Sequence, residues 1–139
     1  MAPKPKRLSD LHVLVVDDEA DICQMVKYAL ESMGIGRVHC AGNGQDAWNL
    51  FYEAKHRFDM VVSDWMMPQM TGLDLLRRIR KHGSTVPFLM LTVNVSRESV
   101  AEASKAGVTG YVAKPFDLQG LQAHIRKLAR KILAETDAG

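Results

Sequence analysis

The sequence is sparing in the features that mark specialised protein classes. Among its 139 residues only Cys23 and Cys40 are cysteine, and they form no CxxC. A disulfide framework and a zinc site are thereby excluded as organising themes, and reduced, partly buried thiols are expected. Neither sign of charge dominates, since 18 Lys and Arg against 16 Asp and Glu leave a net charge of +2. That balance excludes a strongly basic nucleic-acid surface or an acidic tail as the main theme. The longest apolar runs, such as Val13-Leu14-Val15-Val16, fall far short of the roughly 18 residues of a membrane span. The basic stretch Met1 to Arg7 is followed by no apolar segment of signal-peptide length before Asp17-Asp18-Glu19, so no secretory signal is read. The GxxxxGK[ST] loop of nucleotide hydrolases is absent too. A soluble, cytoplasmic protein with neither nucleic acid nor membrane as partner is expected.

What is present is an ordinary globular composition, 47% hydrophobic and 24% charged, at a length that suits one domain. Residues 1–10, with two prolines and several basic side chains, read as a flexible arm. His12 to Val16 is short and β-branched, the pattern of a strand buried on both faces. Ile22, Met25, Val26, Ala29, Leu30 and Met33 then follow at helical spacing, with Gly34 as a stop signal. The alternation repeats. Strands are expected at Arg37 to Ala41, Met60 to Asp64, Pro87 to Leu91 and Gly110 to Ala113. Helices are expected at Gln45 to Ala54, Leu73 to Lys81, Arg97 to Ala106 and Leu118 to Ala134, with residues 134–139 as a frayed tail. Five βα units imply an α/β, doubly wound fold with a parallel sheet and helices on both faces.

In such sheets ligands bind beyond the carboxyl ends of the strands. There the sequence places Asp17 and Asp18 after strand one, Asp64 at strand three, Thr92 at strand four and Lys114 at strand five. Any one of these residues has an ordinary explanation as a cap or turn; their coincidence on one rim does not. Crowded carboxylates repel unless a cation intervenes, and two or three of them with water and phosphate oxygens suit Mg2+. Lys114 and the Thr92 hydroxyl complete a receptor for a phosphoryl group in transfer. An ionised aspartate needs no base to attack phosphorus, and Asp64, on the central strand, is the best-placed nucleophile.

The strings Val15-Val16-Asp17-Asp18-Glu19, Ser63-Asp64-Trp65-Met66-Met67-Pro68 with Gly72, Leu91-Thr92, and Gly110-Tyr111-Val112-Ala113-Lys114-Pro115-Phe116 together resemble the receiver domain of two-component response regulators, most of all its chemotaxis type. The resemblance covers residues 11–133. It implies a flavodoxin-like (βα)5 sandwich with strand order 2-1-3-4-5. It implies that Asp64 accepts a phosphoryl group from a sensor histidine kinase and that Asp18, Asp64 and the Met66 carbonyl ligate Mg2+ directly. Asp17 would act mainly through water on the metal, and Lys114, before a cis Pro115, would pair with phosphoryl oxygens. Thr92 and Tyr111 would move as switch residues, changing the helix 4–strand 5–helix 5 face for a downstream protein target. The protein is thus expected to be a switch and not an enzyme, and a stand-alone monomer, since few residues follow Lys131. The alternatives are a phosphorylation-dependent dimer, a phosphorelay shuttle and a receiver excised from a longer chain. An aspartate-nucleophile phosphatase of the haloacid dehalogenase type is the alternative of another class, and it lacks its second acid here, because Met66 stands two residues past Asp64.

Val93, where the family has Ala or Gly, and Met66 and Asn94, in place of the Asn and Glu of well-known chemotaxis members, are departures. They lead to the expectation of a prolonged phosphorylated state. Trp65 is expected as a partly exposed lid or partner contact, and Met66, Met67 and Met70 as packing beneath a loop. The histidines at 12, 39, 56, 82 and 124 are read as scattered, and Arg126, Lys127, Arg130 and Lys131 as a solvated stripe.

Overall fold

A computed structural model describes residues 5–53 and 57–138, with side chains described as far as Ala134. Strands β1 (His12–Val16), β2 (Arg37–Ala41), β3 (Met60–Asp64), β4 (Phe88–Thr92) and β5 (Gly110–Ala113) alternate with helices α1 (Ala20–Ser32), α2 (Gly44–Glu53), α3 (Gly72–Lys81), α4 (Arg97–Ala106) and α5 (Leu118–Ala138). The strands form one parallel sheet in the order β2-β1-β3-β4-β5. The doubly wound α/β fold read from the sequence is the fold of the protein.

Every residue of β1, β3 and β4 is buried, because helices cover both faces of these central strands. Side chains alternate between faces along each strand. Val13 and Val15 enter one core with Val26, Leu30, Leu121 and Ile125 of α1 and α5. Leu14 and Val16 enter the other with Trp48, Leu76 and Ile79 of α2 and α3. Both cores are apolar to the sheet's rim, so polar side chains on the central strands collect at their ends.

Several boundaries differ from the sequence reading. β4 begins at Phe88 and not Pro87, which has no N–H to give a ladder, and it extends to Thr92, paired with Ala113. α3 begins at Gly72 because Thr71 caps it, its hydroxyl accepting from the Asp74 N–H while the Asp74 carboxylate accepts from the Thr71 N–H. Within the expected flexible arm, Leu8–Asp10 forms a 3-10 turn, braced by the Asp10 carboxylate accepting from the Lys6 and Arg7 N–H groups. Leu8 packs on the α1–α5 core. The last helix continues to Ala138, where a frayed tail from residue 134 was expected. Ala54, the expected end of α2, lies outside the described residues, as do positions 1–4 and 139. Among the described residues no helix is long and apolar enough to cross a membrane.

Candidate functional site

At the carboxyl rim, strand pairing brings together what the sequence separates. The register Val16↔Ser63, Asp64↔Leu91 and Thr92↔Ala113 aligns the ends of β1, β3, β4 and β5. Asp17 and Asp18 follow β1, Asp64 ends β3, Thr92 ends β4 and Lys114 follows β5. Asp17, Asp18 and Asp64 each offer a carboxylate oxygen, and these oxygens lie within 4.8 Å of one another. Asp17 and Asp64 are buried and Asp18 is exposed. The Lys114 ammonium stands between the two buried acids, 3.4 Å from Asp17 Oδ2 and 3.3 Å from Asp64 Oδ1. Asp17, Asp18, Asp64 and Lys114 therefore converge, and Thr92 ends the strand beside Asp64.

The electrostatics follow from that crowding. Burial pushes the Asp64 carboxyl above its ordinary range; Lys114 opposes the rise, while Asp17 and Asp18 add to it. Burial works against the Lys114 ammonium, but Asp17 and Asp64 outweigh it and leave its pKa raised. Asp17 is also held by backbone, its Oδ1 accepting from the Glu19 N–H at 2.9 Å. This pocket has three hard oxygen donors at close quarters and one ammonium to offset them. Such a donor set fits a divalent cation of the Mg2+ kind.

The surroundings position these groups. Thr92 is fully buried, and its Oγ1 accepts from the Asn94 N–H at 3.0 Å. The Tyr111 hydroxyl donates to the Asn94 carbonyl. Sequence reasoning could not find this partner, because a backbone carbonyl carries no residue-type signal. The Lys114–Pro115 bond is cis. A Cβ on Gly72 would fall 2.1 Å from the Asp64 carbonyl oxygen, so only glycine lets α3 start this close to β3.

Other expectations need correction. Trp65 is not a partly exposed lid: it is 8% exposed and packs edge-on against Tyr111, ring centroids 6.2 Å apart. Its backbone N–H donates to the Leu91 carbonyl at 3.0 Å, which continues the β3–β4 pairing. Met67 is buried and Met70 packs against the core, but Met66 is 60% exposed and does not pack beneath the loop. The described histidines lie on different elements, as read from the sequence, although pairing of β1 with β2 brings the His12 and His39 rings to 4.7 Å between centroids. His56 lies outside the described residues. Arg126, Lys127, Arg130 and Lys131 are exposed on α5, as read from the sequence.

The family model for the response regulator receiver domain matches residues 13–126. The chain belongs to the response regulator receiver family. This receiver is 37% identical to the chemotaxis protein CheY of Pseudomonas aeruginosa, over 88% of its own length and 98% of the relative's. It is 37% identical to CheY-3 of Vibrio cholerae, over 88% and 95%. Among solved structures, the V. cholerae chemotaxis protein CheY4 superposes on the receiver with a TM-score of 0.78 at 34% identity, covering 85% of this chain and 98% of that one. The receiver domain of Francisella response regulator 1452 does so with a TM-score of 0.80 at 33% identity, over 88% and 98%. Membership places the receiver in two-component signalling.

Proposed function

We propose that this chain is a cytoplasmic phosphoacceptor switch, with residues 11–133 as the receiver unit and Asp64 as the acceptor. An Asp64 oxygen attacks the phosphorus of a phosphohistidine on a sensor kinase. The P–N bond breaks, the imidazole nitrogen takes a proton, and an aspartyl phosphate remains. The observation that carries this reading is the buried Asp64 carboxylate at the end of the central strand, with Asp17, Asp18 and Lys114 around it. Lys114 has an ammonium at hand for the incoming phosphoryl oxygens, and Thr92 a hydroxyl. Asp18, Asp64 and the Met66 carbonyl would hold Mg2+ directly, with Asp17 in the outer shell; when bound, the ion offsets the charge that accumulates on carboxylate and phosphoryl oxygens. Tyr111, anchored to the Asn94 carbonyl, couples the β4–α4 loop to β5 and so to the α4–β5–α5 face presented to a protein target.

The names of the P. aeruginosa and V. cholerae relatives favour chemotaxis as the pathway. Val93 is 67% exposed immediately after Thr92, and Met66 is 60% exposed two residues after Asp64. These bulky apolar groups at the flanks restrict the approach of hydrolytic water, and the phosphorylated state is long-lived. The deciding experiment mixes the protein with Mg2+ and a small acyl phosphate and follows intact mass. A single adduct that saturates at one per chain and is lost in Asp64→Asn is expected. Continuous turnover of the donor without an adduct would make the protein a phosphatase instead.

A further inference from the structure

Cys23 and Cys40 take no part in the acidic pocket, yet the fold sets them against each other. Cys40 lies in β2, paired with Val15 of β1, and Cys23 lies in the first turns of α1, above the same strand. The Cys23 thiol donates to the Val15 carbonyl at 3.7 Å, and the Cys40 thiol donates to the Cys23 carbonyl at 3.5 Å. Both side chains pack in the same core, so the two thiols face one another across the α1–β2 seam. Cys23 is 3% exposed, whereas Cys40 is half-buried on a strand that forms one edge of the sheet.

We propose that Cys23 and Cys40 form a peroxide-oxidisable dithiol whose disulfide weakens Mg2+ binding at the acidic pocket. The coupling rests on the reading of that pocket as a Mg2+ site; the dithiol itself does not. The Cys40 thiolate attacks one peroxide oxygen, the O–O bond breaks, and the departing oxygen takes a proton, leaving a sulfenic acid on Cys40. The Cys23 sulfur then attacks the Cys40 sulfur. The S–S bond forms, and hydroxide leaves as water with the Cys23 proton. In total, two thiols lose two electrons, and one hydroperoxide is reduced to an alcohol, or to water, plus water. The roles divide by exposure. Burial, followed by the Cys40 contact, pushes the Cys23 thiol up to about 12, so it waits as a neutral second thiol while Cys40 meets the oxidant. The Cys40 thiol already lies against the Cys23 backbone, and this adjacency supplies the high effective concentration that the second step needs.

The route to the pocket is short. The Cys23 N–H donates to the Glu19 carbonyl at 3.1 Å, and the Glu19 N–H donates to Asp17 Oδ1 at 2.9 Å. Closing the sulfurs to about 2.05 Å draws the first turn of α1 toward β2. Glu19, and through it Asp17, moves with that turn. Displacing an outer-shell carboxylate in this way weakens a metal site by about tenfold.

The test treats the reduced full chain with hydrogen peroxide and maps peptides under non-reducing conditions. A Cys23–Cys40 linked peptide that is reversed by dithiol reductant is expected. Cys23→Ser should trap a sulfenic acid on Cys40, and Cys40→Ser should leave Cys23 unmodified. Calorimetry should give about tenfold weaker Mg2+ affinity after oxidation, restored by reductant and absent in peroxide-treated Cys40→Ser. A disulfide-linked dimer through Cys40, or sulfinic and sulfonic acid without the internal link, overturns the dithiol. The link with unchanged Mg2+ affinity overturns the coupling. If the reduced protein takes up no Mg2+, the functional reading has failed and the coupling falls with it, while the peptide map still decides the dithiol.

Discussion

At the scale of single residues, the chemistry is set by what stands beside each carboxylate. Val93 offers a direct test. Val93→Ala should shorten the half-life of the phosphorylated protein severalfold, measured as acyl-phosphate decay after the donor is removed; equal half-lives would dismiss the steric explanation. Asp59, at the opposite end of the sheet, tests burial instead. Its Oδ2 accepts from the His12 N–H at 2.9 Å, yet burial dominates and raises its pKa above 3.8. The folded protein therefore holds this proton at pH values where the unfolded chain has lost it. Stability falls as pH climbs from 3.8 through the raised value, and the full cost is present at neutral pH. Asp59→Asn keeps an acceptor for His12, so it should raise the thermal midpoint at pH 7. The gain should vanish below pH 3.8, where aspartate is neutral in both states. A lower midpoint at pH 7 would show that the His12 bond outweighs burial.

At the scale of elements, the helices show why their type was legible and their ends less so. The stripe from Ile22 to Met33 and the turn at Gly34, with φ of 97°, name α1 without reference to any neighbour. The start of α3 depends on a reciprocal pair, Thr71 with Asp74, and the end of β4 on Thr92 finding Ala113. Both are decided by partners that periodicity does not reveal. Ser96 caps α4 by accepting from the Ser99 N–H at 3.1 Å. Ser96→Ala should cost about 1 kcal/mol in denaturant unfolding. No loss would mean that the first turn of α4 finds other acceptors.

At the scale of the whole molecule, the sheet sorts the chain into an apolar interior and one charged rim. The site was legible because chemistry on a parallel sheet must collect at strand ends, and Asp17, Asp64, Thr92 and Lys114 occupy those ends. The burial of Trp65 was not legible, since it follows from Tyr111, a partner far away in sequence. Nor was the meeting of Cys23 with Cys40, which needs α1 laid against β2. A cation seated among the crowded acids of the proposed Mg2+ site would offset their mutual repulsion. Saturating Mg2+, at a hundred times its dissociation constant, should therefore stabilise the fold by about 2.7 kcal/mol. Asp18→Asn should remove most of that gain, as read by thermal unfolding with and without the ion. An equal gain in the variant would place the ion elsewhere.

The segment between β3 and α3 carries one more consequence. The Gly72 N–H donates to the Trp65 carbonyl at 2.9 Å, the Met70 N–H donates to the Pro68 carbonyl at 2.8 Å, and Gln69 turns with φ of 69°. Met70 also abuts Gly44, where a Cβ would sit 2.7 Å from the Met70 carbonyl oxygen. The segment is a closed ring of fixed circumference, hooked at both ends and wedged on its flank. Its residue count is accordingly as constrained as its residue types, and lengthening or shortening it by one would unhook the ring.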